Sequence, residues 1–359
     1  MLLRAVASPL AASFDRLVAR ALTGRSAASR RGSSAEGLDH PERVRALEQI
    51  EALYQDLALE DVDAFFGPPG SAQPSLATIG AVGHGPSRAH VVDASWPSVV
   101  KTFCADVADR FAATRENHRA HARFFLGEGK DRSAAILVHG YRGGQLAIEE
   151  RVWPVRWLLE RGVDVALFVL PFHGPRAKPG TGPRFPSSDP RFTNEGLRQA
   201  IGDLRALVRY FREARGARQV GAMGMSLGGF TVSLLATVES SLDFVVPVIP
   251  LCSFADVAHA AGRLVGSPEE QAVQRALLDR VHHVVSPLAR PSKVPKDAAV
   301  VIAGHADRIT PIAHAQRIAS HLGADLFTFP GGHLLQFGRS EGFRTVGRML
   351  GRRGVFRAR

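Results

Sequence analysis

The stretch Gly221-Ala-Met-Gly-Met-Ser-Leu-Gly-Gly229 decides the fold of this chain. It contains the pattern G-x-S-x-G at residues 224–228, in which a strand turns sharply into a helix with a serine at the apex. Glycines two positions from the serine allow the strand and the helix to approach closely, and the strained turn exposes the serine hydroxyl. Residues 219–223 are typical of a short buried strand, and residues 227–238 of a helix with small side chains. The pattern predicts that Ser226 is a nucleophile; the alternative is a glycine-rich turn with a passive serine.

An alternation of strands and helices begins at residue 133, and it indicates a parallel sheet. Apolar runs typical of strands buried on both faces occur at residues 134–138, 163–170, 220–223, 244–249, 298–302 and 325–329. Helices are predicted between them at residues 148–160, 195–214, 227–238, 312–322 and 341–350. The predicted fold class is therefore α/β, with a mostly parallel sheet and helices on both faces.

The first part of the chain predicts different structure. An amphipathic helix is expected over residues 41–59, short strands at 90–93 and 120–126, and a helix over 99–114. We expect a basic segment and linker at 1–40, a helical extension at 41–114, the main domain at 115–350 with a helical cap near 257–285, and a basic tail at 351–359.

Polar residues follow two further strands, at the edge where reactive groups gather in a parallel sheet. Asp307 lies in Gly304-His-Ala-Asp-Arg-Ile-Thr-Pro311, and His333 follows Gly331-Gly332. A carboxylate can accept the Nδ1–H of a histidine and fix its tautomer, and the chain order Ser226, Asp307, His333 is nucleophile, acid, base. Asp256, in Ser253-Phe-Ala-Asp256 after the strand that precedes the one before Asp307, is an alternative acid.

The loop His139-Gly-Tyr-Arg-Gly-Gly144 follows the first strand of the alternation. Its glycines allow backbone N–H groups to face a reacting oxygen, so the N–H groups of Tyr141 and Leu227 are predicted to form an oxyanion hole. His139 is expected to pack and shape this loop. His173 is expected either to border the substrate entrance or to be structural.

Together these motifs resemble the α/β-hydrolase superfamily over residues 115–350. The resemblance implies that Ser226 is the nucleophile, His333 the general base and acid, and Asp307 the residue that orients the histidine. Within the superfamily, the loop at residues 170–176 and the long N-terminal extension resemble an abhydrolase-18-type group.

The resulting functional hypothesis is a serine hydrolase that cleaves an ester, thioester or related acyl bond of a small molecule or lipid through an acyl-enzyme. This chemistry needs no metal or organic cofactor. An acyltransferase or an amidase would use the same three residues, and a non-catalytic binding protein of the same fold is the alternative from another class.

Charge and composition limit the partners. The chain has 359 residues with 45% apolar content, a net charge of +11 and two cysteines, which fits a protein of a reducing compartment. Residues 1–32 carry a net charge of +5 and residues 339–359 a net charge of +6, so the body is neutral and nucleic acid is not an expected substrate. No apolar run is long enough to span a membrane.

The N-terminus has three interpretations. Apolar residues recur with helical spacing at Leu3, Val6, Leu10, Phe14 and Leu17, and Arg residues lie outside this stripe. An amphipathic helix that contacts an anionic membrane, a mitochondrial presequence, and a helix that packs on the domain all fit this pattern. The expected location is cytoplasmic, either free or at a membrane surface, and it is mitochondrial if the segment is a presequence.

Overall fold

The computed structural model describes residues 8, 9, 11–15, 37–98 and 101–357. Several predictions lie outside the described residues: most of the apolar stripe (Leu3, Val6, Leu10 and Leu17), residues 16–36 of the basic segment and linker expected at 1–40, and residues 99–100 of the helix expected over 99–114.

In the part of the chain that the structure describes, nine strands form a single sheet, in the order β1-β2-β3-β5-β4-β6-β7-β8-β9. They are β1 Ser75–Val82, β2 Ala89–Pro97, β3 Arg119–Gly127, β4 Ser133–Val138, β5 Val163–Phe168, β6 Val220–Met225, β7 Phe244–Val248, β8 Val300–Gly304 and β9 Asp325–Phe329. The strands β4 to β9 run parallel, whereas β1, β2 and β3 pair antiparallel with one another and β3 pairs antiparallel with β5. The predicted fold class, a mostly parallel sheet with helices on both faces, is confirmed.

From residue 37 onwards, the α-helices in the described residues are α1 His40–Ala52, α2 Val62–Phe66, α3 Ala108–Ala112, α4 Leu146–Val152, α5 Val155–Leu159, α6 Pro190–Arg209, α7 Leu227–Val238, α8 Phe254–Ala260, α9 Pro268–Val281, α10 Ile312–Leu322 and α11 Arg339–Arg352. The single helix predicted over 148–160 is two helices because Pro154, which lacks an N–H and restricts the residue before it, separates α4 from α5. In the described part of the helix predicted over 99–114, residues 101–114, the structure has only α3 and the short 3-10 turn Ala105–Val107.

The strand β1 was not predicted. Its apolar residues Leu76, Ile79 and Val82 recur every three residues, whereas a strand with one buried face repeats every two. A register shift between Thr78 and Gly80 accommodates this spacing, and every residue of the strand is exposed. The strand lies at the sheet edge, where little burial is needed to stabilise it.

The central strands form the core. All residues of β4, β5 and β7 are buried, because helices cover both faces of the parallel part of the sheet. The helices α8 and α9 fall in the region expected to be a cap, and α9 packs beside α1, where Arg280 pairs with Glu51 at 2.7 Å. Among the residues described, no helix combines the length and the apolar character required to cross a bilayer.

Candidate active site

Ser226 lies at the turn between β6 and α7. Its backbone has φ 57° and ψ −112°, a strained conformation for a residue with a side chain. A Cβ at Gly224 would collide with the backbone carbonyl of Gly228, and a Cβ at Gly228 would collide with the carbonyl oxygen of Val138. Both positions therefore require glycine, and the strained turn presents the Ser226 hydroxyl at the end of the strand.

His333 lies in the loop at residues 330–338, between β9 and α11, which we call the histidine loop. Its Nε2 is 3.0 Å from Ser226 Oγ, and its Nδ1 is 2.8 Å from Asp307 Oδ2. With the proton on Nδ1, the ring donates to the carboxylate and Nε2 is free to accept the serine proton.

Asp307 lies in the loop at residues 305–311, between β8 and α10, which we call the acid loop. Its Oδ1 accepts the backbone N–H groups of Ile309 at 2.9 Å and of Thr310 at 2.8 Å. These two bonds fix the carboxylate plane and leave Oδ2 for His333.

Thr310 is a site residue that the sequence did not reveal. Its Oγ1 lies 3.0 Å from Asp307 Oδ2, 3.0 Å from His333 Nδ1 and 3.1 Å from the carbonyl oxygen of Ile249, so the hydroxyl connects the acid and the histidine to the end of β7. A threonine three residues after the aspartate is a weak signal by itself, because Asp and Thr are both common in turns.

The alternative acid, Asp256, does not contact His333. Its Oδ1 accepts from Arg275 and its Oδ2 accepts from Arg317 at 2.9 Å, so both oxygens are used in ion pairs on the surface of α8. The structure thus brings Ser226, Asp307 and His333 together and leaves Asp256 outside the group.

The loop that follows β4 lies against the serine. A Cβ at Gly140, the residue before Tyr141, would be 3.3 Å from Ser226 Cβ. Leu227 is the first residue of α7, where helix N–H groups have no partner within the helix and the helix dipole is positive. Of the two predicted oxyanion-hole residues, Leu227 therefore follows Ser226 directly, and Tyr141 follows a glycine that approaches the serine.

Buried side chains shape this loop. His139 Nδ1 donates to the carbonyl oxygen of Gly140 at 2.7 Å, and its Nε2 accepts the N–H of Leu170 at 3.0 Å. Burial lowers the pKa of His139 to about 3, so the ring is neutral. Glu149 of α4 accepts the N–H of Gly144 at 2.9 Å, and burial raises the pKa of this carboxyl group.

His173 lies beneath the same loop. It is 1% exposed, its ring centroid is 5.1 Å from that of His139 and 6.0 Å from that of Tyr141, and its Nδ1 donates to the carbonyl oxygen of Pro171 at 2.9 Å. Burial lowers its pKa to about 4. His173 also lines a cavity of about 360 Å³ with Arg142 and Lys178. Its burial fits the expected structural role, and its place at a cavity fits the expected position at a substrate entrance.

A second residue that the sequence did not reveal is Asp15. This fully buried carboxylate comes from the N-terminal helical segment and contacts both the acid loop and the histidine loop. No local pattern could have indicated it, because 318 residues separate Asp15 from His333.

Part of the chain is similar in sequence to curated proteins. No family model matches the chain. The protein named Uncharacterized protein Rv2627c, from Mycobacterium tuberculosis, is 30% identical over 235 residues, which are 63% of this chain and 55% of that protein. The chain thus spans about half the length of the curated relatives it matches.

Two solved structures share the architecture. Acetyl xylan esterase 1 from Thermoanaerobacterium sp. superposes with a TM-score of 0.56 at 17% identity, covering 85% of this chain and 93% of that chain. An acetyl xylan esterase from Paenibacillus sp. superposes with a TM-score of 0.55 at 14% identity, covering 84% and 99%. At these identities the likeness establishes a common fold.

Proposed function

From the α/β-hydrolase fold that this chain shares with those esterases, we propose that it is a serine hydrolase acting on an ester, thioester or related acyl bond. The observation that carries the proposal is the continuous chain of hydrogen bonds from Asp307 through His333 to Ser226, with distances of 2.8 and 3.0 Å. A nucleophile within reach of a base, which is itself oriented by a third group, is the arrangement that acyl transfer requires.

In the proposed reaction, Ser226 Oγ attacks the acyl carbon while its proton moves to His333 Nε2. Asp307 stabilises the imidazolium that forms, and the N–H groups of Tyr141 and Leu227 donate to the oxygen that becomes negative. His333 then returns the proton to the leaving group, and an acyl-enzyme remains. Water, activated by His333, hydrolyses the acyl-enzyme and regenerates the serine.

Exposed apolar side chains beside the site support an apolar acyl group. Tyr141, next to Gly140, is 48% exposed, and Leu334, next to His333, is 44% exposed. Such side chains can cover an acyl chain while the triad contacts the carbonyl. Acyl chain length, and binding to an anionic membrane through the basic termini, stay predictions.

The test combines an activity-based probe with hydrolysis assays. We expect the wild-type protein to be labelled by a fluorophosphonate probe and to hydrolyse p-nitrophenyl esters of graded acyl length, and Ser226→Ala to lose both properties. Ser240→Ala is a suitable control, because Ser240 is exposed just beyond the C-terminal end of α7. The thermal transition of each variant should stay near the wild-type value, since Ala removes only a hydroxyl.

The outcomes separate the alternatives. Residual turnover in Ser226→Ala would show that the nucleophile is misassigned, and an unlabelled wild-type protein that binds acyl compounds without cleaving them would favour a binding function. Product analysis with an added alcohol or with an amide substrate distinguishes hydrolysis from acyl transfer and amide cleavage.

A further inference from the structure

A buried carboxylate outside the triad contacts both loops that carry the triad partners of Ser226. It belongs to Asp15, in the N-terminal helical segment of which residues 8, 9 and 11–15 are described. We propose that Asp15 is a positioning residue, which keeps His333 and Asp307 in register with each other and with Ser226. This inference rests on the proposed function.

Three backbone N–H groups donate to this one carboxylate. Asp15 Oδ2 accepts the N–H of His333 at 2.7 Å and the N–H of Arg308 at 3.3 Å, and Oδ1 accepts the N–H of Leu334 at 3.1 Å. Arg308 directly follows Asp307 in the chain, so the bonds are made to the histidine itself and to the neighbour of the acid. Hydrogen bonds to an ionised acceptor are stronger than those between neutral groups, which suits this carboxylate to joining two loops.

Small residues and a further hydrogen bond allow the N-terminal segment to lie close to the acid loop and the histidine loop. A Cβ at Gly332 would be 2.5 Å from Asp15 Oδ2, so the glycine before the histidine is required by the carboxylate. Ala11 and Ala12 pack against Ala306 of the acid loop, and the hydroxyl of Ser8 donates to the carbonyl oxygen of Pro330 at 2.7 Å. The N-terminal segment therefore contacts both loops along its described length.

The position of the histidine ring depends on these contacts. His333 lies in a loop, so its backbone is not fixed by a helix or strand, and Nε2 must stay within hydrogen-bonding distance of Ser226 during the reaction. A displacement of about 1 Å at a reacting group can reduce the rate about 10²-fold. Removal of the carboxylate leaves three N–H groups without this acceptor and frees the histidine loop to move relative to the acid loop.

The experiment uses the full chain with Asp15→Ala and Asp15→Asn. Asn is the milder change because it keeps the side-chain volume, although it places an NH₂ group where a backbone N–H already points. The Asn variant replaces the Ala variant in the experiment if the Ala variant does not fold. Asp39→Asn is the matched control, because Asp39 is an exposed N-terminal aspartate that accepts a backbone N–H at 3.0 Å and Asn caps helices equally well.

Two measurements are needed. The first is kcat/KM per active site, with sites titrated by a fluorophosphonate so that misfolded protein does not count, for an alkyl ester and for a p-nitrophenyl ester of the same acid. The second is amide hydrogen exchange across residues 305–311 and 330–338, which reports on the loops whether or not the protein is an enzyme.

We expect Asp15→Ala to lower kcat/KM for the alkyl ester by about 10²-fold with little change in KM, and to lower it less for the p-nitrophenyl ester. The difference arises because a poor leaving group needs the proton of a correctly placed His333 and a good one does not. Exchange at His333 and Leu334 should become faster.

Other results overturn the proposal. Unchanged exchange would mean that Asp15 does not restrain the loops, and faster exchange with an unchanged kcat/KM per site would mean that the restraint has no effect on catalysis. An equal loss for both esters would indicate a general structural role. If the wild-type protein is neither labelled nor hydrolytic, the proposed function fails, and the exchange data still decide whether the carboxylate restrains the loops.

Discussion

Replacement of Asp307 by Asn tests the triad through the orientation of a single amide. The backbone N–H groups of Ile309 and Thr310 both point at the Oδ1 position, at 2.9 and 2.8 Å. These two donors require an oxygen, so the carbonyl of the introduced amide would occupy the Oδ1 position and its NH₂ group would face His333 Nδ1. The histidine would then accept at Nδ1 and carry its proton on Nε2, where it cannot accept the proton of Ser226.

The expected loss follows from this tautomer. The wrong tautomer reduces kcat by about 10⁴ in a serine protease triad of the same design, equal to about 5.5 kcal/mol at the transition state. We expect Asp307→Asn to lower kcat for an acyl ester by about this factor and to leave KM and the thermal transition close to the wild-type values. The assay is steady-state hydrolysis with active-site titration, which measures kcat per competent site.

The control for Asp307→Asn is Asp256→Asn, which removes the carboxylate of the alternative acid, paired with Arg275 and Arg317 instead of a histidine. It should change kcat by less than about threefold, because surface ion pairs contribute little. The reasoning is refuted if Asp307→Asn keeps more than about a tenth of the wild-type kcat, or if Asp256→Asn is the variant that loses activity.

Two further predictions concern Thr310 and the buried histidines His139 and His173. Thr310→Val should lower kcat/KM about tenfold, since it removes a hydroxyl 3.0 Å from both Asp307 and His333 while keeping the shape; steady-state kinetics that match the wild type would exclude this role. The second prediction is loss of stability in acid, because burial lowers the pKa of His139 to about 3 and of His173 to about 4, and the unfolded chain takes up protons from about pH 6.5 downwards. For each of the two rings, the free energy of unfolding should fall by about 2 kcal/mol as the pH is lowered from about 6.5 to 5, as measured by urea denaturation. The His173→Gln variant should show a shallower pH dependence, unlike the exposed control His259→Gln, and equal slopes would contradict the assignment.

The sequence predicts the parts of this molecule that depend on local chemistry. The turn at Ser226 needs glycine at residue 224 because a Cβ there would collide with the carbonyl of Gly228, so this part of its geometry follows from the local residues, whereas Gly228 is required by Val138 of β4. The parallel strands are long apolar runs, and their carboxyl ends meet at one edge, so the loops after β8 and β9 were expected beside the serine. The predicted boundaries of α7, α10 and β9 match the structure, and α10 shows the reason most plainly, because it lies between Pro311 and Gly323.

Other features depend on contacts between distant residues. The strand β1 has no alternating pattern, and its pairing with β2 decides its conformation. Thr310 is placed by the end of β7, through Ile249, and no spacing within the acid loop indicates this.

The N-terminal segment is the clearest case in which a local sequence pattern does not predict the contacts that form. Its sequence suggested an apolar stripe with a charged opposite face, and the only described member of that stripe, Phe14, is 41% exposed. Among the described residues of the segment, those buried against the domain are Ala11, Ala12 and Asp15, two small residues and an acid that no hydrophobicity pattern would select. Small side chains allow close approach, and three N–H groups of distant loops converge on the acid and stabilise it there. A buried acid in an otherwise basic segment is therefore informative in its own right, because its burial requires hydrogen-bond donors. Among the described residues of this chain, three such donors belong to the two loops that carry Asp307 and His333.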